Sequence, residues 1–399
     1  MPRRKQKTSS ARSLTRTQCN LFILGITAIV CFLPLHQLLP GARKLAHDLD
    51  EIIEAATESR DSTSLRKKEL QTHVPEVKGT LAVAAEPKNH ATIIPCTAMV
   101  EQPPEYLTTI RFNKDNAHQF DMSTHDPRKE IVSDYITRDG CYECDVLHSF
   151  LQAMKSSQTR HFFDMGGNIG MYSLFAAASL NVQVYVFEPF AANQEKICQT
   201  IQKNPHVFQT GDSKITLYGA AVTDSTKWVS FNLRGFTRAV RKPGELNYGT
   251  LIIQDIDSSN PPEGIQGKDY AQGVTLNSLQ DNLPAPGSHV ALKVDVEGSE
   301  CVALTGGLEY LSKLTINYAA MEMTYVRLQI CRSAGQLEPI FDLFEKNGLK
   351  LYLHNRDEQK WQEVSVTNWI SWSRPLPSQF DLAWSKVDPN EYLAQSKTK

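Results

Sequence analysis

Arg160-His161-Phe162-Phe163-Asp164-Met165-Gly166-Gly167-Asn168-Ile169-Gly170-Met171-Tyr172-Ser173 and, a few residues on, Val182-Gln183-Val184-Tyr185-Val186-Phe187-Glu188-Pro189 decide the fold. The first run predicts a short buried strand ending at Asp164, a turn through three glycines, and an apolar helix from Ile169 to Leu180. The second predicts another strand, with Val184, Val186 and Phe187 buried and one acid, Glu188, at its carboxyl end. Strand, glycine loop, helix, strand and terminal acid is the βαβ arrangement of nucleotide-binding α/β proteins, in which the acid takes the ribose hydroxyls.

The spacing separates one kind of nucleotide from another. A dinucleotide fingerprint reads GxGxxG, with a helix N-terminus facing a pyrophosphate. Here the pattern is Asp164-x-Gly166-Gly167-x-x-Gly170, and Asp164 sits where a pyrophosphate would be repelled. An acid beside the loop suits a ligand that is cationic at that end, as the ammonium and sulfonium of S-adenosylmethionine are. A nicotinamide site and a ligand-free strand-to-helix turn are the competing readings.

The 399 residues, 41% hydrophobic and 22% charged, fit a globular core with extensions. A net charge of −2 removes any general case for nucleic acid, which is bound by clustered Lys and Arg. The charge is uneven, however. Arg3, Arg4, Lys5, Lys7, Arg12 and Arg16 fill the start without an acid, Leu21 to Leu35 is almost wholly apolar, and apolar character extends to Leu38 and Leu39. A spanning helix takes about 17 to 25 such residues. Basic residues before the run and Asp48, Asp50, Glu51, Glu54 and Glu58 after it predict a type II membrane anchor with the remainder in the secretory lumen. A cleaved signal peptide and a mitochondrial presequence compete with that reading. The expected organisation is a cytosolic basic tail over 1–19, a transmembrane signal-anchor over 20–40, a polar stem over 41–104 and a catalytic domain over 105–399.

Eight cysteines are present. Cys141 and Cys144 form the only close pair, and a zinc site would need a second pair. Disulfide and free thiols both remain open there. Cys198 and Cys301 are expected to be small apolar residues of buried helices.

Within the domain, Tyr106 to Phe112 alternates like a strand, and Val146, Phe150, Leu151 and Met154 share one face of a helix leading to the Asp164 strand. A helix over 191–203 and a strand over 214–220 continue the βαβ rhythm. Residues 223 to 273 break it with strand-like runs at Trp228–Leu233 and Gly249–Ile256. An insertion of that length points to substrate contacts or to a plain surface hairpin. Arg234, Arg238, Arg241 and Lys242 in it suit an acidic acceptor or a solvated face. Later strands are expected at Thr315–Met323, Leu349–His354 and Phe380–Ser385, with a helix over Ala334–Glu345 and a loose polar tail after Val387.

The second decisive stretch is His289-Val290-Ala291-Leu292-Lys293-Val294-Asp295-Val296-Glu297-Gly298-Ser299-Glu300, a strand ending in two acids before a glycine turn and a helix. Lys293 to Glu300, taken with Asp164 to Gly170 and Phe187-Glu188-Pro189, resembles the signature of the FkbM-type methyltransferases. The resemblance covers roughly residues 105 to 385 and neither the anchor nor the stem. It implies an α/β fold of the class I methyltransferase kind, with a doubly wound, mostly parallel, seven-stranded sheet, and S-adenosylmethionine-dependent O-methyl transfer. It places Asp164, Gly166, Gly167, Asn168 and Gly170 around the methionine end of the cofactor and Glu188 on the ribose. The chain departs from the family pattern at Gly167, where alanine is usual, and at Asn277, where aspartate is common.

Methyl transfer to oxygen requires an acceptor in line with the donor methyl and a group that takes the hydroxyl proton. Asp295 and Glu297 at the end of one strand and Glu322 on the next are the candidates, acting as a base or through a divalent ion. Capping of the following helix is the alternative for Glu297 and Glu300, and His354 is a further candidate base. The membrane-anchored plan makes a glycan hydroxyl the expected acceptor. The rival of a different class is a binding protein that keeps the fold without the chemistry.

Overall fold

The computed structural model describes residues 92–96, 103–111, 119–208, 214–232, 252–256, 270–355, 358–366 and 379–397. The expected basic tail, the anchor over 20–40, most of the stem, and Arg234 to Lys242 lie outside the described residues. Among the described residues, no helix is long and apolar enough to cross a membrane.

An antiparallel hairpin of β1 (Tyr106–Arg111) and β2 (Gln119–Thr124) comes first. The helices α1 (Ile131–Asp139) and α2 (Cys144–Ser156) follow. Then come β3 (His161–Met165), α3 (Met171–Ser179), β4 (Gln183–Phe187), α4 (Ala191–Lys203), the single turn α5 (Pro205–Phe208) and β5 (Lys214–Tyr218). Four strands, β6 (Ala220–Val222), β7 (Lys227–Asn232), β8 (Ile252–Ile256) and β9 (Tyr270–Val274), form a small separate sheet. After a 3-10 turn at Asn277–Asn282 the chain returns with β10 (His289–Val294), the short helices α6 (Glu300–Thr305) and α7 (Leu308–Leu311), and β11 (Thr315–Thr324). It closes with α8 (Tyr325–Ser333), α9 (Leu337–Lys346), β12 (Lys350–Asn355), β13 (Lys360–Val364), β14 (Gln379–Ser385) and α10 (Pro389–Lys397).

The main sheet has eight strands in the order β13-β12-β14-β11-β10-β3-β4-β5. Its five strands from β11 to β5 in that order pair in parallel, and β14 runs antiparallel between β11 and β12. The seven-strand expectation omitted edge strand β13. Phe162, Val184 and Val186 enter the core on one face, while Phe163, Met165, Tyr185 and Phe187 enter it on the other. Strands buried on both faces carry apolar side chains at nearly every position, which is why β3 and β4 read as continuous hydrophobic runs. On one face Phe150 of α2 packs on Phe162 at 4.9 Å, and on the other Trp384 of β14 sits 4.9 Å from both Phe341 and Phe344 of α9. From β3 the chain steps outward through β4 and β5, then crosses back to lay β10 on the other side of β3. That reversal opens a crevice at the carboxyl ends of β3 and β10, the usual place for a ligand in such a sheet.

Several expectations are corrected. The helix expected over Ala334–Glu345 is α9, which starts at Leu337 because Gly335 takes a left-handed φ of 67° just before it, and a separate helix, α8, precedes that turn. The tail after Val387 is helix α10, held by buried Tyr392 and Leu393 and by Ser149 Oγ donating to the Pro389 carbonyl. The strand-like runs at 228 and 249 are the antiparallel pair β7 and β8. Cys198 and Cys301 are not free: disulfides join Cys96 to Cys198, Cys141 to Cys144, and Cys301 to Cys331. Buried thiols look like small apolar residues in a sequence, and only the spatial approach of a second cysteine distinguishes the two. Residues 92–96 pair with the end of β5, Ile94 N donating to the Leu217 carbonyl, so the folded unit reaches back at least to residue 92.

Candidate active site

Asp164 is the penultimate residue of β3 and only 1% exposed. Its Oδ2 accepts from Ser173 Oγ on α3, while Oδ1 has no hydrogen-bond partner among the described residues and faces Lys293 Nζ at 3.9 Å. Burial pushes this carboxyl upward, opposed by the Lys293 charge. Lys293 stands opposite Asp164 in the β3/β10 register and also reaches Asp295 Oδ2 at 3.0 Å. Its Nζ lies 4.9 Å from the centre of the Tyr172 ring. Its two carboxylate neighbours hold Lys293 charged against burial.

The glycine loop owes its composition to packing. Gly166 has φ 82°, and a Cβ there would fall 1.8 Å from the Asp295 carbonyl oxygen. Gly170 has φ 85°, and a Cβ on it would meet Ile197 at 2.8 Å. Left-handed φ and backbone contact both demand glycine, so these residues are explained by β10 and α4 without a ligand. An alanine Cβ at Gly167 would come within 2.3 Å of Val186 Cγ1, so here the family's usual residue would require Val186 to move. Asn168 takes φ 50° and steadies the turn by accepting the Ile169 N–H on its own Oδ1.

Glu188, 5% exposed, closes the loop from the β4 side. Oε2 accepts from Asn168 N at 2.7 Å, and Oε1 from Phe190 N at 2.8 Å and Asn193 Nδ2 at 3.4 Å. Asn193 in turn pairs with His125 Nε2 at 2.9 Å, which ties the β1/β2 hairpin to the crevice. Burial raises the Glu188 carboxyl to about 7 despite the three donors. A carboxylate has about four lone-pair sites, so Oε2 keeps capacity for one more donor.

The other side of the crevice is acidic. Asp295, Glu297 and Glu322, predicted as one group from separate strands, do converge: one oxygen from each lies within 4.8 Å of the others. Glu297 is held at φ 53° in the turn after β10. Burial first, then the Asp295 charge, pushes both Glu297 and Glu322 well above the carboxylate range. Glu300 stands apart and serves the turn, its Oε1 accepting from Gly298 N at 2.8 Å and Val296 N at 3.3 Å. Asn277 accepts the Tyr310 N–H at 2.9 Å in the first turn of α7, so it holds a helix and is not a site residue.

Two further acids belong to this wall and went unread in the sequence. Asp381 on β14 is the direct cross-strand partner of Glu322, and Glu143, at the start of α2, reaches the same place. Glu143, Glu322 and Asp381 bring oxygens within 4.8 Å of one another, so Glu322 is shared by two acidic groups. His354 of β12 follows, its Nδ1 3.6 Å from Asp381 Oδ2. A lone charged residue inside an apolar strand, as at Lys293 and Asp381, was the available signal. Glu143 was marked only by the cysteines on either side of it.

No family model matches the chain, and no curated protein does. Among solved structures, an FkbM methyltransferase from Methylobacillus flagellatus is similar at 14% identity, covering 57% of this chain and 43% of that one, with a TM-score of 0.31. A precorrin-6y C5,15-methyltransferase from Geobacter metallireducens is similar at 12% identity over 61% of this chain and 88% of that one, TM-score 0.29. A human methyltransferase 10 domain containing protein matches at 9% identity over 62% and 85%, TM-score 0.27. Methyltransferases are thus among the structures this α/β chain is similar to, at an overlap that leaves the chemistry to be judged from the site.

Proposed function

We propose that this chain is an S-adenosylmethionine-dependent O-methyltransferase acting on a hydroxyl group. The observation that carries the reading is the Asp164 carboxylate, buried at the sheet's reversal point with Oδ1 unpartnered by any hydrogen bond among the described residues. A buried carboxylate oxygen is costly without a donor; the Lys293 ammonium stands off at 3.9 Å and is committed to Asp295 at 3.0 Å, so a ligand ammonium is the donor chemistry that fits. Glu188, beyond the same loop, has lone-pair capacity for a ribose hydroxyl, while a pyrophosphate would meet Asp164, Glu188 and Asp295 with Lys293 already paired. The residues present fit the cofactor: Asp164 and the 166–170 turn at its methionine end, Glu188 at its ribose.

S-adenosylmethionine supplies a methyl group activated on a sulfonium. What the protein adds is alignment of the acceptor and a place for its proton. Asp295, ion-paired with Lys293 and 30% exposed, is the carboxylate that we assign as base. Glu297 and Glu322, pushed well above the carboxylate range by burial and by the Asp295 charge, orient the acceptor by hydrogen bonds.

The acceptor proposed is a glycan in the secretory lumen, with the chain anchored as a type II membrane protein of the Golgi kind. The basic start followed by the apolar run supports that topology. So do three disulfides, which persist in oxidising compartments. The test is transfer of labelled methyl from S-adenosylmethionine to released glycans by the full chain. Label in glycan hydroxyls that disappears with Asp295→Asn is the expected result; label on protein, lipid or nothing overturns the acceptor.

A further inference from the structure

We propose that His125 and Asn193 are positioning residues for Glu188, locking its carboxylate so that Oε2 is the oxygen offered to the ribose. The inference rests on the reading of Glu188 as the ribose contact and adds the residues that aim it. It stands on a hydrogen-bonded chain: His125 Nε2 meets Asn193 Oδ1 at 2.9 Å, and Asn193 Nδ2 donates to Glu188 Oε1 at 3.4 Å. Phe190 N also donates to Oε1, at 2.8 Å, whereas Oε2 accepts only the Asn168 N–H among the described residues. Oε1 is thus engaged by the scaffold, and the remaining capacity lies on Oε2.

Donor and acceptor chemistry fixes the direction of the chain. An ionised carboxylate can only accept, so Asn193 presents its amide nitrogen to Glu188 and its oxygen to His125. An amide oxygen also only accepts, so a neutral His125 carries its proton on Nε2. The opposite tautomer would set two acceptors against each other, and turning the amide over would move that clash to Glu188. Asn193 is 1% exposed, so a bond left unmade there carries the full cost of burial. Burial, assisted by the Lys196 charge, pulls the imidazole down to about 4, and the neutral ring is therefore the form that serves. The imidazole is delivered by a docked strand. Alternate residues of β2 are held by side chains from α4 and the residue after it: Asp121 N donates to Asn204 Oδ1 at 2.9 Å and Ser123 N to Thr200 Oγ1 at 2.9 Å, and His125 takes the next place, on Asn193. The backbone N–H of His125 donates to Ser133 Oγ of α1 at 3.1 Å. The charged groups facing the relay are Asp164 from β3, beside Glu188, and Lys196 from α4, beside His125, with Glu195 and Glu105 next to Lys196.

The test uses the full chain with His125→Phe, which keeps a ring and removes the donor, and His125→Gln, whose amide nitrogen can stand in for Nε2. Two readings need no ligand. The imidazole nitrogen resonances at neutral pH should show the His125 proton on Nε2. The Glu188 carboxyl carbon resonance should titrate at about 7 in the unaltered chain, higher in His125→Phe and again at about 7 in His125→Gln, because a hydrogen bond to the charged form is lost and then restored. The third reading is calorimetric titration with S-adenosylmethionine, whose affinity should fall about three- to tenfold in His125→Phe and recover to within about twofold in His125→Gln. A proton on Nδ1 alone, a Glu188 titration that does not move in His125→Phe, or a loss of affinity that His125→Gln fails to restore overturns the proposal. Absence of S-adenosylmethionine binding by the unaltered chain contradicts the cofactor reading instead, and the relay is then decided by the two readings made without ligand.

Discussion

The two walls of the crevice treat their acids in opposite ways. On the β3/β4 side Glu188 is answered by backbone N–H groups of Asn168 and Phe190, and Asp164 by Ser173 and the Lys293 charge. On the β11/β14 side Glu322 and Asp381 are set directly against each other, with Glu143 beside them. The first wall is built by one contiguous βαβ segment, and the second by strands far apart in sequence. A carboxylate facing backbone N–H donors is fixed by its own loop, whereas Glu322 and Asp381 are brought together only by the register of distant strands.

The sharpest way to break that contrast is at Asp295, where the walls meet. Asn in its place keeps the shape and removes the charge, so turnover at saturation should fall about 10²- to 10⁴-fold while cofactor affinity stays within a few-fold. The opposite split would move Asp295 to the cofactor wall. Next is the tether of the N-terminal segment to α4 beside the β3/β4 wall. The Cys96–Cys198 disulfide spans a sequence separation of 102 residues, and replacing both cysteines by Ser should cost about 2 to 4 kcal/mol in denaturant unfolding. The Cys141–Cys144 bridge closes a far shorter loop, and its loss should cost less in the same experiment.

Acidity gives a smaller and graded effect. Glu188 and Glu300 are raised from 4.5 to about 7 chiefly by burial, so the folded chain binds protons that the unfolded chain has released. Their contribution is therefore fully present below about pH 4.5 and is lost as pH rises through 7, on the order of 3 kcal/mol for each group. Melting temperature should fall between pH 5 and 8, and Glu188→Gln should flatten that slope. A slope unchanged by Glu188→Gln would mean that its backbone donors outweigh burial.

Legibility in the sequence follows the same divide. Phe162 to Gly170 and Val184 to Glu188 carry strand, turn, helix and acid in one contiguous run, so the β3/β4 wall is readable from local pattern alone. Asp295, Glu297 and Glu322 are expected to meet because adjacent parallel strands end together, and they do. Asp381 is hidden because β14 runs antiparallel, and only its register, Glu322 opposite Asp381, brings that acid to the carboxyl ends of the parallel strands. Glu143 is hidden because a helix start fixes no direction across a sheet. Cys198 and Cys301 are easily misread because their partners, at 96 and 331, lie in other elements. The glycines read correctly as a turn, but their cause is the close passage of Asp295 and Ile197 and needs no ligand.

The most direct measurement is calorimetric titration of S-adenosylmethionine into the full chain and its Asp164→Ala variant. Saturable binding at one site, weakened about ten- to a hundredfold by the variant, is the result expected from losing a charge-assisted contact of about 1.5 to 3 kcal/mol. Absence of binding to the unaltered chain, or equal affinity in the variant, would contradict the assignment of this crevice as a cofactor site.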